Sequence, residues 1–66
     1  MKTLTLNGES HQSAAATVTD LVAELPLPPE TLLVEHNGLA LHRSEWPKTP
    51  LQSGDRIELL RVAAGG

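Results

Sequence analysis

The chain contains no cysteine, phenylalanine or tyrosine. Without cysteine, neither a disulfide framework nor a thiolate zinc site can staple the fold, and thiol catalysis is excluded. Trp46 is the one large aromatic anchor available. Positive charge is also scarce. Five Lys plus Arg against eight Asp plus Glu give a formal net charge of -3, whereas a nucleic-acid footprint normally shows as a clustered basic face. The same balance disfavours an anionic membrane surface. No window approaches the roughly 20 apolar residues of a spanning helix, and Lys2 is followed by alternating Thr and Leu instead of a signal-peptide core. A soluble, cytoplasmic protein without nucleic-acid or membrane partners is expected. Nor is there a Ser-His-Asp, paired-carboxylate or Gly-rich phosphate-loop pattern, so the chain is not expected to be an enzyme itself.

What is present divides cleanly. Met1 to Leu6 alternates in the period of a strand, with Leu4 and Leu6 on one face, and Asn7-Gly8 supplies a type I′ hairpin signal into ESHQS. Val18, Leu21, Val22 and Leu25 fall on one helical stripe. Thr17 and Asp20 fit a capping box at its start, and Pro26 ends it. Thr31 to His36 reads as a strand, with Asn37-Gly38 turning it into LALH. RSEWP reads as a short helical turn with Ser44 as a possible N-cap, and Pro47 and Pro50 bracket a surface loop. Ser53-Gly54-Asp55 then turns the chain into RIELLRV, the most apolar strand. His11, His36 and His42 lack metal-ligand spacing, although His36 and His42 could face one another across the second hairpin.

This order predicts an α+β domain over residues 1–66, with one mixed sheet wrapped on one helix and the first and last strands adjacent and parallel. Alternation places Ile57 and Leu59 in the core with Leu4, Leu6, Val18, Leu21, Val22 and Leu25. Glu58, Leu60 and Val62 then share an open face, and exposed apolar residues there suggest a docking surface. Residues 62–66 are expected to form a flexible tail ending in Gly65-Gly66. With glycine at about 7% usage, a terminal pair arises by chance in about half a percent of chains, so it invites a functional explanation. A leftover linker would usually be longer and Ser-rich.

Strand-turn-strand-helix order with a protruding Gly-Gly resembles the ubiquitin-like β-grasp proteins, and among them the ThiS sulfur carriers. The most specific parts are HNGLALHRSEW, from His36 to Trp46, and LQSGDRIELLRVAAGG, from Leu51; together with the fold order the likeness spans essentially the whole chain. One departure is His42, where these carriers commonly have proline before Arg43. The resemblance implies that Gly66 is adenylated and converted to a thiocarboxylate by a ThiF-like adenylating enzyme that consumes ATP. A sulfur donor enzyme and a ThiG-like thiazole synthase are the other implied partners, with no cofactor or metal bound by the carrier. Slim residues at Ala63, Ala64 and Gly65 suit a tail that threads a narrow channel. Leu60, Val62 and Glu58 are the candidate partner-binding residues. A carrier for molybdopterin or another pathway, a ubiquitin-like modifier and a pure interaction module are the alternatives.

Overall fold

In the computed structural model, which describes residues 1–62, β1 (Lys2–Leu6) and β2 (Glu9–Ser13) pair antiparallel with Leu4 opposite His11. The turn between them needs positive φ at both central residues, and Asn7 and Gly8 adopt 50° and 84°. The second hairpin repeats the solution. β3 (Leu32–His36) and β4 (Leu39–Leu41) are joined by Asn37 at 52° and Gly38 at 85°. β5 (Arg56–Arg61) lies between the two hairpins, parallel to β1 and antiparallel to β3, giving the order β2-β1-β5-β3-β4. Ala63, Ala64, Gly65 and Gly66 lie outside the described residues.

Both turn asparagines grip the central strand. Asn7 Oδ1 accepts from the Leu59 N–H at 2.7 Å, and Asn37 Oδ1 accepts from the Arg56 N–H at 2.7 Å. Asparagine at these corners therefore combines the left-handed turn with side-chain acceptors on either edge of β5. Main-chain bonds complete the clamp, from Asn7 N–H to Ile57 O at 2.9 Å and from Asn37 N–H to Arg56 O at 2.8 Å.

α1 (Val18–Glu24) crosses one face of this sheet. Thr17 caps it, its Oγ1 accepting from the Asp20 N–H at 3.3 Å. Seven residues are too few to be helical alone; burial of Val18, Leu21 and Val22 holds them, at about 1.5–3 kcal/mol per fully buried side chain. Leu25, expected in that stripe, is instead the half-buried C-cap in extended conformation, with φ -96° and ψ 146°. Pro26 disfavours helical backbone at the residue before it, and Leu27 packs against the core instead. The core joins Leu4, Val18, Leu21, Val22 and Ile57 to Ala15, Leu32, Val34, Trp46 and Leu51, with Leu6 and Leu59 partly buried against it.

The RSEWP segment forms a 3-10 helix over Arg43–Lys48, capped by His42 and not by Ser44. Glu45 decides this. Its carboxylate accepts from the His42 N–H at 2.7 Å, and its own N–H donates to His42 O at 2.8 Å, so Ser44 falls inside the helix. Proline at position 42 would forfeit the first of these bonds. Trp46 is buried, and its ring carries the Arg43 guanidinium at 5.2 Å from the centroid. Its Nε1 finds no acceptor among the described residues, a cost of about 1–3 kcal/mol set against burial of the whole ring.

The loop expected between Pro47 and Pro50 is not one. Pro47 lies within the 3-10 helix, and Pro50 bridges to Thr17. Val18 N–H to Thr49 O at 3.1 Å and Leu51 N–H to Ala16 O at 2.9 Å lace this segment to the helix entrance.

His36 does not face His42. It donates from Nε2 to Asp55 Oδ2 at 2.8 Å, while the Gln52 N–H and the Asn37 amide bond the same carboxylate at 3.0 and 3.2 Å. Burial alone would push the Asp55 carboxyl up. Hydrogen bonds from His36, Gln52 and Asn37, with the His36 charge, outweigh it and hold the carboxyl below its ordinary value. A depressed carboxyl stabilises the fold above its unfolded-state pKa of about 3.9, and that contribution is lost as pH falls through the lower folded-state value. Asp55→Asn should therefore melt about 5 °C below the parent at pH 7, equivalent to about 1 kcal/mol in a chain of this size. Thermal melts should show the gap closing below about pH 4; a gap constant down to acid pH would remove the charge from this account.

Candidate functional site: the open sheet face and the start of the tail

β5 has two faces with different duties. Ile57 and Leu59 point at α1, Ile57 being fully buried, whereas Glu58 and Leu60 point away. The antiparallel ladder runs one residue beyond the strand, because the Val62 N–H donates to Thr31 O at 2.8 Å. Anchored chain thus extends one residue into the range read as tail.

Around that exit the open face is apolar. Leu60 is 56% and Val62 45% exposed, as the alternation predicts. Leu33, which was not anticipated, is 52% exposed and stands directly opposite Leu60 in the register. The signal was available: Leu32 and Val34 are the buried members of β3, which leaves Leu33 and Glu35 on the other side. Glu58 is exposed on the same face opposite Glu35. Large side chains with this exposure, clustered beside the chain exit, form a surface suited to a protein partner.

No catalytic constellation accompanies it among the described residues. Asp55 is committed to its turn and to His36, and no group of three His, Cys, Asp or Glu residues is placed to hold a metal. A shallow apolar groove of about 280 Å³ between α1 and the 3-10 helix is lined by Val22, Ala23, Pro29, Arg43 and Trp46, with Thr19 at its edge. It lies on the helix side, away from the open face. No helix among the described residues is long and apolar enough to cross a membrane. What the described residues offer is an apolar patch on the open face, beside the point where the described chain ends at Val62.

Comparison with known proteins agrees with this geometry. Residues 3–66 match the model of the ThiS family. The crystal structure of the thiamine biosynthesis protein ThiS from Geobacter metallireducens superposes with a TM-score of 0.82 at 34% identity, covering 97% of this chain and 99% of that one. A solution structure of a thiamine biosynthesis protein from the same organism gives 0.77 at 32% identity, covering 97% and 87%. Among curated proteins, a thiazole synthase of Magnetococcus marinus is 36% identical over 62 residues, 92% of this chain but 19% of that protein. The chain thus spans about a fifth of the length of that relative. The ubiquitin-like β-grasp fold, with its five-stranded mixed sheet on one helix, is shared with the solved ThiS structures over nearly the whole length. The family match runs from β1 through the terminal glycines, and the chain belongs to the ThiS family.

Proposed function

We propose that the chain carries sulfur as a thiocarboxylate on Gly66 and delivers it to thiazole formation. The observation that supports this most is the placement of β5: the central strand, fixed from both sides, ends at an exposed apolar patch and leads directly into Ala-Ala-Gly-Gly. A free carboxylate is a poor electrophile. A ThiF-like adenylating enzyme first makes it an acyl adenylate, with the carboxylate oxygen attacking the α-phosphorus of ATP and pyrophosphate leaving. Hydrosulfide, or its equivalent from a sulfur donor enzyme, then adds to the acyl carbon and AMP departs. The carbon keeps its oxidation level.

Tail chemistry needs two different enzymes to admit the same segment, and glycines at Gly65 and Gly66 permit both conformations. Leu60 and Val62, with Leu33 beside them, provide the docking patch and Glu58 its polar margin. A thiazole synthase containing a region similar to this chain supports thiazole synthase as acceptor: linking donor and acceptor in one chain raises their effective concentration. Supplying the thiocarboxylated protein to purified thiazole synthase with its sugar-phosphate and imine substrates should yield the thiazole. Efficient dithiolene formation by a molybdopterin synthase large subunit, with no thiazole, would assign the carrier to that pathway instead; conjugation to lysines would make it a modifier.

The docking role of the patch is separable from folding. Leu60→Glu places an unpaired charge in the apolar contact, which costs enough to weaken activation at least about tenfold. At a site this exposed the melting midpoint should move by only a few degrees. Titration of the adenylating enzyme with folded variant reads the first effect and a thermal melt the second. An unfolded variant would mean that Leu60 supports the core.

A further inference from the structure

The open face carries a feature that the fold does not need. Glu35 of β3 and Glu58 of β5 stand directly opposite one another in the antiparallel register, both on the side away from α1. Cross-strand partners have Cβ atoms about 4.5–5.5 Å apart, and like charges at that spacing weaken the strand pairing they sit on. Among the described residues no ion pair within 4.0 Å relieves the repulsion: the pair within that reach is His36 with Asp55, and Arg56, which alternation places on this face one step further from the tail, does not close on either carboxylate. Local conflicts of this kind in an otherwise consistent sequence mark positions shaped by something other than folding.

Their neighbours indicate what that is. The next outward pair toward the tail is Leu33 with Leu60, both more than half exposed, followed by Val62. Two carboxylates, two leucines and a valine thus form one continuous strip along β3 and β5, ending where the chain leaves for Ala63. A partner that covers the leucines takes the carboxylates out of water as well. Buried carboxylates need charged, hydrogen-bonding partners, and a guanidinium supplies several donors in a planar fork. We propose that Glu35 and Glu58 form an electrostatic receptor for an arginine of the protein that docks on this face, set beside an apolar patch that covers Leu33, Leu60 and Val62. The proposal rests on the reading that this partner is the adenylating enzyme. The chain then carries a repulsive pair when free, which the complex converts into attraction, so the pair contributes association rate and specificity instead of fold stability.

Glu35→Gln with Glu58→Gln, in the full chain, tests this with side chains of unchanged size. The probe is the purified ThiF-like adenylating enzyme of the same organism, with ATP-pyrophosphate exchange measured against carrier concentration from about 0.05 M to about 0.5 M salt. For the parent chain KM should rise with salt. The double variant should show KM at least about tenfold higher at low salt, a much flatter salt dependence, an unchanged kcat, and a melting midpoint equal to or above the parent's. A variant indistinguishable from the parent in KM and salt dependence overturns the receptor while leaving activation at Gly66 standing. A lowered midpoint would make the pair structural and also overturn it. Absence of exchange with the parent chain would fell the adenylation reading itself, and the receptor with it.

Discussion

Deleting Gly66 should cut ATP-pyrophosphate exchange by the adenylating enzyme by at least about a hundredfold, with the melting midpoint unchanged. The shortened chain still ends in a glycine carboxylate, so the loss comes from position and not from chemical type. Each extended residue spans about 3.3–3.6 Å, and a misplacement of about 1 Å in a reacting group can already cost about a hundredfold. Stability should be unchanged because the buried core of the described residues runs from Leu4 to Ile57, and the last ladder bond among them is that of Val62. Exchange assays on the parent and the truncated chain decide the matter. Undiminished exchange by the truncated chain would show that Gly66 is not the activated residue.

Ile57→Ala should unfold a large fraction of the protein, although it lies only three residues from the tolerant Leu60 on the same strand. Ile57 is fully buried, beside Leu6 of β1 and opposite His36 of β3. Truncating such a residue costs about 2–5 kcal/mol through lost transfer energy and the cavity left behind. A core of this size rarely supplies more than about 3–5 kcal/mol in total. The midpoint should therefore fall by about 10–30 °C, against a few degrees for Leu60→Ala, whose side chain is already in water. Circular dichroism melts on the two variants test the division of the strand directly. Equal, small shifts would mean that β5 does not have one buried and one free face.

Much of this was legible before any coordinates. The two Asn-Gly corners, the Val18–Leu21–Val22 stripe and the alternation of β5 each carry a local physical signal, and each agrees with the structure. β2 was placed by its turn alone, since ESHQS has no apolar alternation. Its inward Ser13 is instead satisfied by polar contacts, donating to Glu24 at 2.8 Å and accepting from the Ala15 N–H at 2.9 Å. Long-range lacing was invisible for a similar reason. The bonds of Thr49 and Leu51 to the helix entrance are main-chain contacts that leave no trace in residue type. His42 as the cap depends on Glu45 reaching back, a competition that Ser44 appeared by propensity to win. In the candidate site, Leu60, Val62 and Glu58 followed from period-two alternation, and Leu33 would have followed from the same rule applied to β3. The chemistry assigned to Gly66 came from the resemblance and from the reactivity of a carboxylate, because the last four residues lie beyond those described.

The central claim, sulfur carried at Gly66, is tested most directly by the intact mass of the protein purified from its native host while the pathway is active. Replacement of one carboxylate oxygen by sulfur should add about 16 Da, and an alkylating reagent should label the terminus. Oxidation of Met1 gives a nearly equal increment but no alkylatable terminus, so the pair of readings is decisive. A species heavier by this increment, which one portion shows to be alkylatable at Gly66 and another, left unalkylated, shows to lose the increment when incubated with thiazole synthase and its substrates, is the expected result. A terminus that is never alkylated, in cells that are making the thiazole, would contradict the account.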